Sequence, residues 1–358
     1  MHPELAIGPS NYAGQATAWA RAVSTRLPAR AWSFTGVPLR GGGFDFDVDK
    51  RMGRLAFRNP LFWGTRSRHF LRGVTHLALD GFKTFSRWDR HTHLPSDARR
   101  LEESGLKMAL ISHGSDVRDP RAHQERDEWS YFNVGPGPWW DVLTAQTAQN
   151  RQFAEESGWP VFYSTPDLAF DLPNGKWLPV VVDVDAWACE SPVLERARPR
   201  VVHVPSQRAP AIKGTQYITP VLQQLHDEGA IEFIAPDRLP HHEMRELVKS
   251  SDIVVDQLLF GSYGAAAVEA MAAGRITVGR LTPAVRDLMP EAPWMLEATP
   301  KTLRAVICSV LDQRDELRDL AQANLQFVRR WHDGTESASR LSGYLGVSQG
   351  PQRASQAG

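Results

Sequence analysis

The 358-residue chain has only two cysteines, Cys189 and Cys308, far apart in sequence. That excludes a disulfide framework or a cysteine metal set and suits a reducing compartment. Net charge is also missing, because 41 Lys and Arg balance 41 Asp and Glu. The composition therefore gives no electrostatic case for nucleic acid or an anionic membrane as the main partner. No run reaches the ~20 apolar residues that a membrane span needs. The opening Met1-His-Pro-Glu-Leu-Ala-Ile-Gly8 lacks the basic and apolar regions of a signal peptide. A cytoplasmic protein is expected, with peripheral contact at the inner membrane face left open. No repeat of about 20 to 50 residues marks a solenoid.

What is present is apolar material for two cores. Hydrophobic residues make up 42% of the chain and charged ones 23%, and the length exceeds what one core usually reaches. In the second half, short apolar runs alternate with helical segments. Arg200-Val-Val-His203, Ile231-Glu-Phe-Ile-Ala235, Asp252-Ile-Val-Val-Asp256 and Ile276-Thr-Val-Gly279 read as strands. Residues 215–226, 241–251, a segment from about Gly264 and 302–329 read as helices. In the first half Leu5–Gly8, Val74–Leu79, Lys107–Ser112, Pro160–Thr165 and Leu178–Asp183 read as strands, and 15–26 as a helix. The stretch 118–140 shows no period and reads as a long loop. Such alternation implies parallel strands joined by right-handed crossovers. The expected fold is α/β, with two doubly wound Rossmann-like domains facing across a cleft. The first covers 1–190 and the second 198–329. Residues 330–345 are expected to pack back on the first domain, and the polar tail 347–358 to be disordered.

Chemistry is expected at the strand-to-helix turns, where open α/β sheets bind ligands. Gly14, at a helix start after Pro9-Ser-Asn-Tyr-Ala, lets backbone N–H groups approach an anion. His113 and Asp116 lie in Ser112-His-Gly-Ser-Asp-Val-Arg118, just past a strand. Arg208 and Lys213 precede the helix beginning at Thr215, and two cations beside a helix N-terminus suit a diphosphate. In Gly261-Ser-Tyr-Gly-Ala-Ala-Ala-Val-Glu-Ala-Met-Ala-Ala-Gly274, Glu269 lies about 7.5 Å along the helix from Gly264. That is within reach of a ligand's hydroxyls. Each turn also has a plain structural reading, as a glycine for geometry or as solvated surface charge.

Three of these segments resemble the group-1 glycosyltransferases, retaining nucleotide-sugar enzymes of the GT-B fold. Arg208-Ala-Pro-Ala-Ile-Lys-Gly214 is similar to the family's Arg-x4-Lys-Gly. Residues 261–278 are similar to its Glu-Gly-Phe-Gly-x4-Glu-Ala-Met-Ala-x-Gly-x-Pro-Val, and His113–Arg118 to its first-domain histidine loop. The resemblance implies transfer of a sugar from a nucleotide-diphosphate sugar to a hydroxyl of a glycan, lipid or small molecule, with retention. It makes Arg208 and Lys213 the diphosphate cations and Glu269 the ribose contact. It places the backbone of Tyr263 and Gly264 by the phosphates or donor sugar, His113 near the reacting carbon, and Gly14 where donor and acceptor meet. It implies no metal and no cofactor beyond the donor. The chain departs from the family at Gly261, where the first of two glutamates should stand. Asp256 or Gln257 is the alternative polar contact. The departure keeps open a nucleotide-sugar-binding protein without transfer, and an epimerase on the same fold is a third reading.

Other motifs carry less. Asp45-Phe-Asp-Val-Asp49 fits an exposed strand or loop and fails as an EF-hand loop, with Lys50 at the turn glycine. His91-x-His93 and His241-His242 lack ligand partners at metal spacing and read as surface residues. Trp139 and Trp140 are candidates for stacking on an acceptor sugar, with core packing the plainer reading.

Overall fold

A computed structural model of the chain describes residues 2–36, 46–52, 63–85, 94–134, 139–205, 211–236 and 239–348. Arg208, Asp45, His91, His93 and the tail 349–358 lie outside them.

Two sheets, all of whose pairings are parallel, form the frame. The first contains β1 (Glu4–Gly8), β2 (Arg30–Thr35), β3 (Lys50–Arg51), β4 (His76–Asp80), β5 (Lys107–Ser112), β6 (Val161–Tyr163) and β7 (Lys176–Trp177). Their order is β3-β2-β1-β4-β5-β6-β7. The second contains β8 (Arg200–His203), β9 (Glu232–Ile234), β10 (Ile253–Val255), β11 (Ile276–Gly279) and β12 (Leu296–Glu297), in the order β12-β11-β10-β8-β9. Strand β4 is buried along its whole length, as are β10 and β11. Such continuous burial is what strands covered on both faces show. Strand order reverses between β1 and β4 in the first sheet, and between β8 and β10 in the second. The loops leaving these strands therefore flank a switch point in each domain.

The helix Gln15–Arg26 lays Trp19, Ala20 and Val23 against Leu5 and Ile7 of β1. The last helix, Thr335–Leu345, adds Ala338, Leu341 and Leu345 to the same core. It is pinned there by Ser337 Oγ donating to the Pro179 carbonyl (2.8 Å) and Tyr344 Oη to that of Lys107 (2.7 Å).

Four readings need correction or addition. The stretch 118–140 is not one loop. Asp119 caps a helix Pro120–Arg126 by accepting from the N–H groups of Arg121 and Ala122. A 3-10 turn follows at Tyr131–Val134, and Trp139 opens a helix running to Ser157. An Asp-Pro cap is a helix start, but the aromatic residues around it obscure the period because they pack outside their own domain. Tyr131 and Phe132 belong to the core of the second sheet, with Leu258, Leu259 and Phe260. Residues 178–183, expected as a strand, are not one. The Val181 N–H donates to Gln15 Oε1 (2.7 Å) and that of Val182 to the His332 carbonyl (2.9 Å), so the sheet receives neither. The helix expected over 302–329 breaks at Gln313 (φ −115°, ψ 33°) into Leu303–Asp312 and Arg314–Trp331. Strand β2 and the helices Trp63–Phe70 and Leu94–Glu103 were not anticipated.

Candidate active site

Strand β1 ends at Gly8, and the N–H groups of Ser10 and Asn11 close on the fully buried Asp80 at the end of β4 (2.7 and 2.8 Å). The sequence reading missed Asp80, although a carboxylate at a carboxyl-terminal strand end beside the switch point is a signal it could have used. His113 lies just past β5. Its ring stacks on Trp19 (centroids 5.5 Å apart) and meets Tyr12 edge-on (5.3 Å). Its Nε2 is 3.5 Å from Asp80 Oδ2 and has no hydrogen-bond partner among the described residues. Asp116 has another task. Its carboxylate accepts from Ser112 Oγ (2.8 Å) and from the N–H groups of His113 and Gly114, which fixes the loop and spends the acid.

Gly14 has φ +71°, and a Cβ there would lie 2.9 Å from the Phe46 ring. The left-handed backbone and the close aromatic both call for glycine. Phe46 in turn packs on His241 (4.8 Å), whose Nε2 is 3.0 Å from Glu269 Oε1. The chain of contacts Gly14, Phe46, His241, Glu269 thus runs from the first domain's turn to the second domain's helix. His241 is not the plain surface residue expected from sequence, while His242 is exposed. Nothing local to residue 241 marks it, since its partner stands 28 positions away.

In the second domain the turns after β8 and β10 meet. Lys213 Nζ lies 3.2 Å from Asp256 Oδ1, and Asp256 Oδ2 accepts the Gly264 N–H at 3.1 Å. Gly264 caps the helix Ala265–Ala272, whose alanines and Val268 pack close into the domain. Beneath Lys213 the His203 ring bridges the Val255 carbonyl (2.8 Å) and Thr215 Oγ1 (2.9 Å). Burial drives its pKa down to about 4, helped by Lys213, so it stays neutral. Tyr263 turns its side chain away from the turn. Its hydroxyl meets His332 Nε2 (3.2 Å) and burial raises its pKa, which leaves the backbone at 263 for any ligand.

Gly261 is explained by its surroundings. With φ +63°, a Cβ there would lie 2.7 Å from Thr282 Cγ2 and 3.2 Å from Asp127 Oδ2. Asp127 comes from the first domain and pairs with Arg280. Gln257 is occupied too, its amide donating to the Ser262 carbonyl (2.6 Å). The place of the absent glutamate is filled. The same edge joins the two domains through the Tyr131 N–H to the Leu259 carbonyl (2.9 Å) and the Arg118 guanidinium over the Phe260 ring (4.3 Å). No group of three or more metal-ligating side chains occurs among the described residues.

No protein-family model and no curated protein matches the chain. Solved structures do. Sucrose-phosphate synthase from Thermosynechococcus elongatus aligns over 96% of this chain and 98% of its own, with 12% identity and a TM-score of 0.62. The Anabaena protein HepE, solved with UDP-glucose, aligns over 97% of this chain and 100% of its own, at 13% identity and 0.61. A glycosyltransferase from Rickettsia africae gives 96%, 98%, 12% and 0.59. The chain has the GT-B fold. The likeness read from three motifs thus extends over nearly the full length of the chain. No helix among the described residues is long and apolar enough to cross a membrane.

Proposed function

We propose that the chain is a metal-independent glycosyltransferase that moves a sugar from a nucleoside-diphosphate donor to an acceptor hydroxyl with retention. The observation that carries this reading is that Lys213 and the N-terminus of the helix bearing Glu269 converge on Asp256, at the switch point of the second sheet. An ammonium and the positive end of a helix favour the charge that builds on a departing diphosphate. Arg208, outside the described residues, is the second cation in this reading. Glu269 takes the ribose hydroxyls by exchanging its bond to His241. His113, with its Nε2 short of a partner, serves the donor sugar near the reacting carbon. The acceptor hydroxyl attacks from the face the diphosphate leaves and gives its proton to the leaving phosphate. The HepE complex with UDP-glucose supports a uridine diphosphate sugar as the first donor to try. A cavity of about 290 Å³ supports an acceptor place beside the histidine loop, with Tyr131, Phe132, Trp139 and Phe260 as ring faces. Reaction in the cytoplasm, where nucleotide sugars are at hand, completes the proposal.

Lys213→Ala is expected to lower turnover of UDP-glucose about a hundredfold, the usual scale for losing one group that stabilises developing charge. Full turnover with intact donor binding in that variant, by steady-state assay and calorimetry, would contradict the assignment.

The filled site at Gly261 favours a second reading, a nucleotide-sugar-binding protein that transfers nothing. Tight UDP-glucose binding with no transfer or hydrolysis against a broad acceptor panel would select it.

A further inference from the structure

We infer that Asp256 is the resident counter-ion of the donor-phosphate site. As a positioning residue it holds Lys213 and the first N–H of the helix Ala265–Ala272 in place, and it weakens the grip on the departing nucleoside diphosphate. The inference rests on the glycosyltransferase reading above and adds to it a function for a residue the family resemblance does not cover.

Asp256 directly follows β10 and is 1% exposed. A buried carboxylate persists only when it is paired, and its two oxygens have different partners. Oδ2 accepts the Gly264 N–H at 3.1 Å. Oδ1 lies 3.2 Å from Lys213 Nζ, close enough for an ion pair but not aligned as a hydrogen bond. These partners, an ammonium and a helix N-terminal N–H, are the groups that an incoming phosphate would use. A fixed negative charge therefore stands behind the site and touches both.

Neighbouring groups do not share this duty. His203, below, is held neutral with both ring nitrogens engaged. Gln257 is turned to the Ser262 carbonyl. Asp256 forms its ion pair with Lys213. The carboxylate is also too enclosed to be the substitute sugar contact for the glutamate missing at 261.

Two effects follow. Before donor binding, Lys213 (19% exposed) is already aimed by its counter-ion, so no reorganisation is needed when charge develops on the diphosphate. After transfer, once the diphosphate gives up to solvent the proton it took from the acceptor, it carries more negative charge than it did in the donor, and Asp256 repels the product more strongly than the substrate. That is discrimination between bound states of the kind that favours turnover over tight product binding.

The test uses the full chain, with UDP and UDP-glucose as probes in titration calorimetry and steady-state kinetics. Asp256→Asn keeps an oxygen for the Gly264 N–H and removes the charge. It is expected to bind UDP about tenfold tighter and to turn over about tenfold more slowly, so that KM and kcat fall together. Unchanged or weaker UDP binding would overturn the inference. So would a loss confined to UDP-glucose, which would make Asp256 a direct sugar contact. Wild-type protein that binds no nucleoside diphosphate would overturn the proposed function, and the phosphate role of Asp256 with it. If wild type binds and Asp256→Asn binds no tighter, only this inference falls. Thermal melts give an arm independent of ligand. Lys213→Met leaves the carboxylate unpaired and is expected to melt lower, and Lys213→Met/Asp256→Asn is expected to recover part of the loss. A double variant no more stable than Lys213→Met would contradict the pairing.

Discussion

Acidification from pH 6.5 toward pH 4 is expected to remove most of the protein's stability, ahead of the general titration of carboxylates. His203 and His332 are buried, and burial lowers the pKa of each from the usual 6.5 to about 4. In both, Nδ1 faces a main-chain carbonyl, of Val255 and of Val180, and Nε2 faces a hydroxyl, of Thr215 and of Tyr263. The arrangement suits a neutral ring that donates from Nδ1 and accepts at Nε2. Between pH 6.5 and 4 the unfolded chain binds protons that the folded chain refuses. The stability contributed by the neutral rings is therefore complete above pH 6.5 and declines as pH falls. At about 1.4 kcal/mol per pH unit, each ring accounts for roughly 3 kcal/mol by pH 4. Two such losses compare with the roughly 5–15 kcal/mol that holds a domain together. His123 acts in the same direction, its pKa lowered by burial and by Arg118. Asp171 acts in the opposite one, since burial raises its carboxyl and the folded chain takes up that proton more readily. Urea unfolding at pH 7.0 and pH 4.5 reads the balance. The expected result is a large fall in midpoint at the lower pH, and equal midpoints would contradict it.

Gly261→Glu, which restores the family's first glutamate on paper, is expected to destabilise the protein and not to improve it. The backbone at 261 is left-handed, a conformation that costs a side-chain-bearing residue roughly 1–2 kcal/mol. The new Cβ would also lie 2.7 Å from Thr282 Cγ2, and the new carboxylate would arrive beside Asp127, which is already paired with Arg280. Overpacking adds about 1–3 kcal/mol more, and the disturbed ion pair joins the two domains. A total near 4 kcal/mol is a large share of a domain's stability and should appear as a lowering of the melting temperature by ten degrees or more. A variant that melts with the wild type and turns over faster would show that the place is open after all.

These two expectations mark where sequence reasoning reached and where it stopped. The second sheet was readable because β10 and β11 are short apolar runs between turn residues, and the residues proposed for β11 are those of the strand. The helix Gln15–Arg26 was readable for the same local reason. Gly261 was visible in the sequence as a departure, but its cause was not. Thr282 and Asp127 come from 21 residues downstream and from the other domain, and no local pattern encodes such a meeting. The pairs His241–Glu269 and Lys213–Asp256 are non-local in the same way. Segment 118–140 misled because its aromatic residues follow the periodicity of a core they reach only in the folded chain. Residues 178–183 had the composition of a strand, but Gln15, Trp19, His332 and Ser337 engage their backbone groups away from the sheet.

The central claim is that a nucleoside-diphosphate sugar lies between Lys213, the N-terminus of the helix Ala265–Ala272 and Glu269. A crystal structure of the chain with UDP-glucose tests this most directly. The account predicts diphosphate oxygens within hydrogen-bond reach of Lys213 Nζ and at the first turn of the helix Ala265–Ala272, ribose hydroxyls on Glu269 with His241 displaced, and the glucose turned toward His113. A nucleotide bound elsewhere, or one that leaves the Glu269–His241 bond intact and Lys213 untouched, would contradict it.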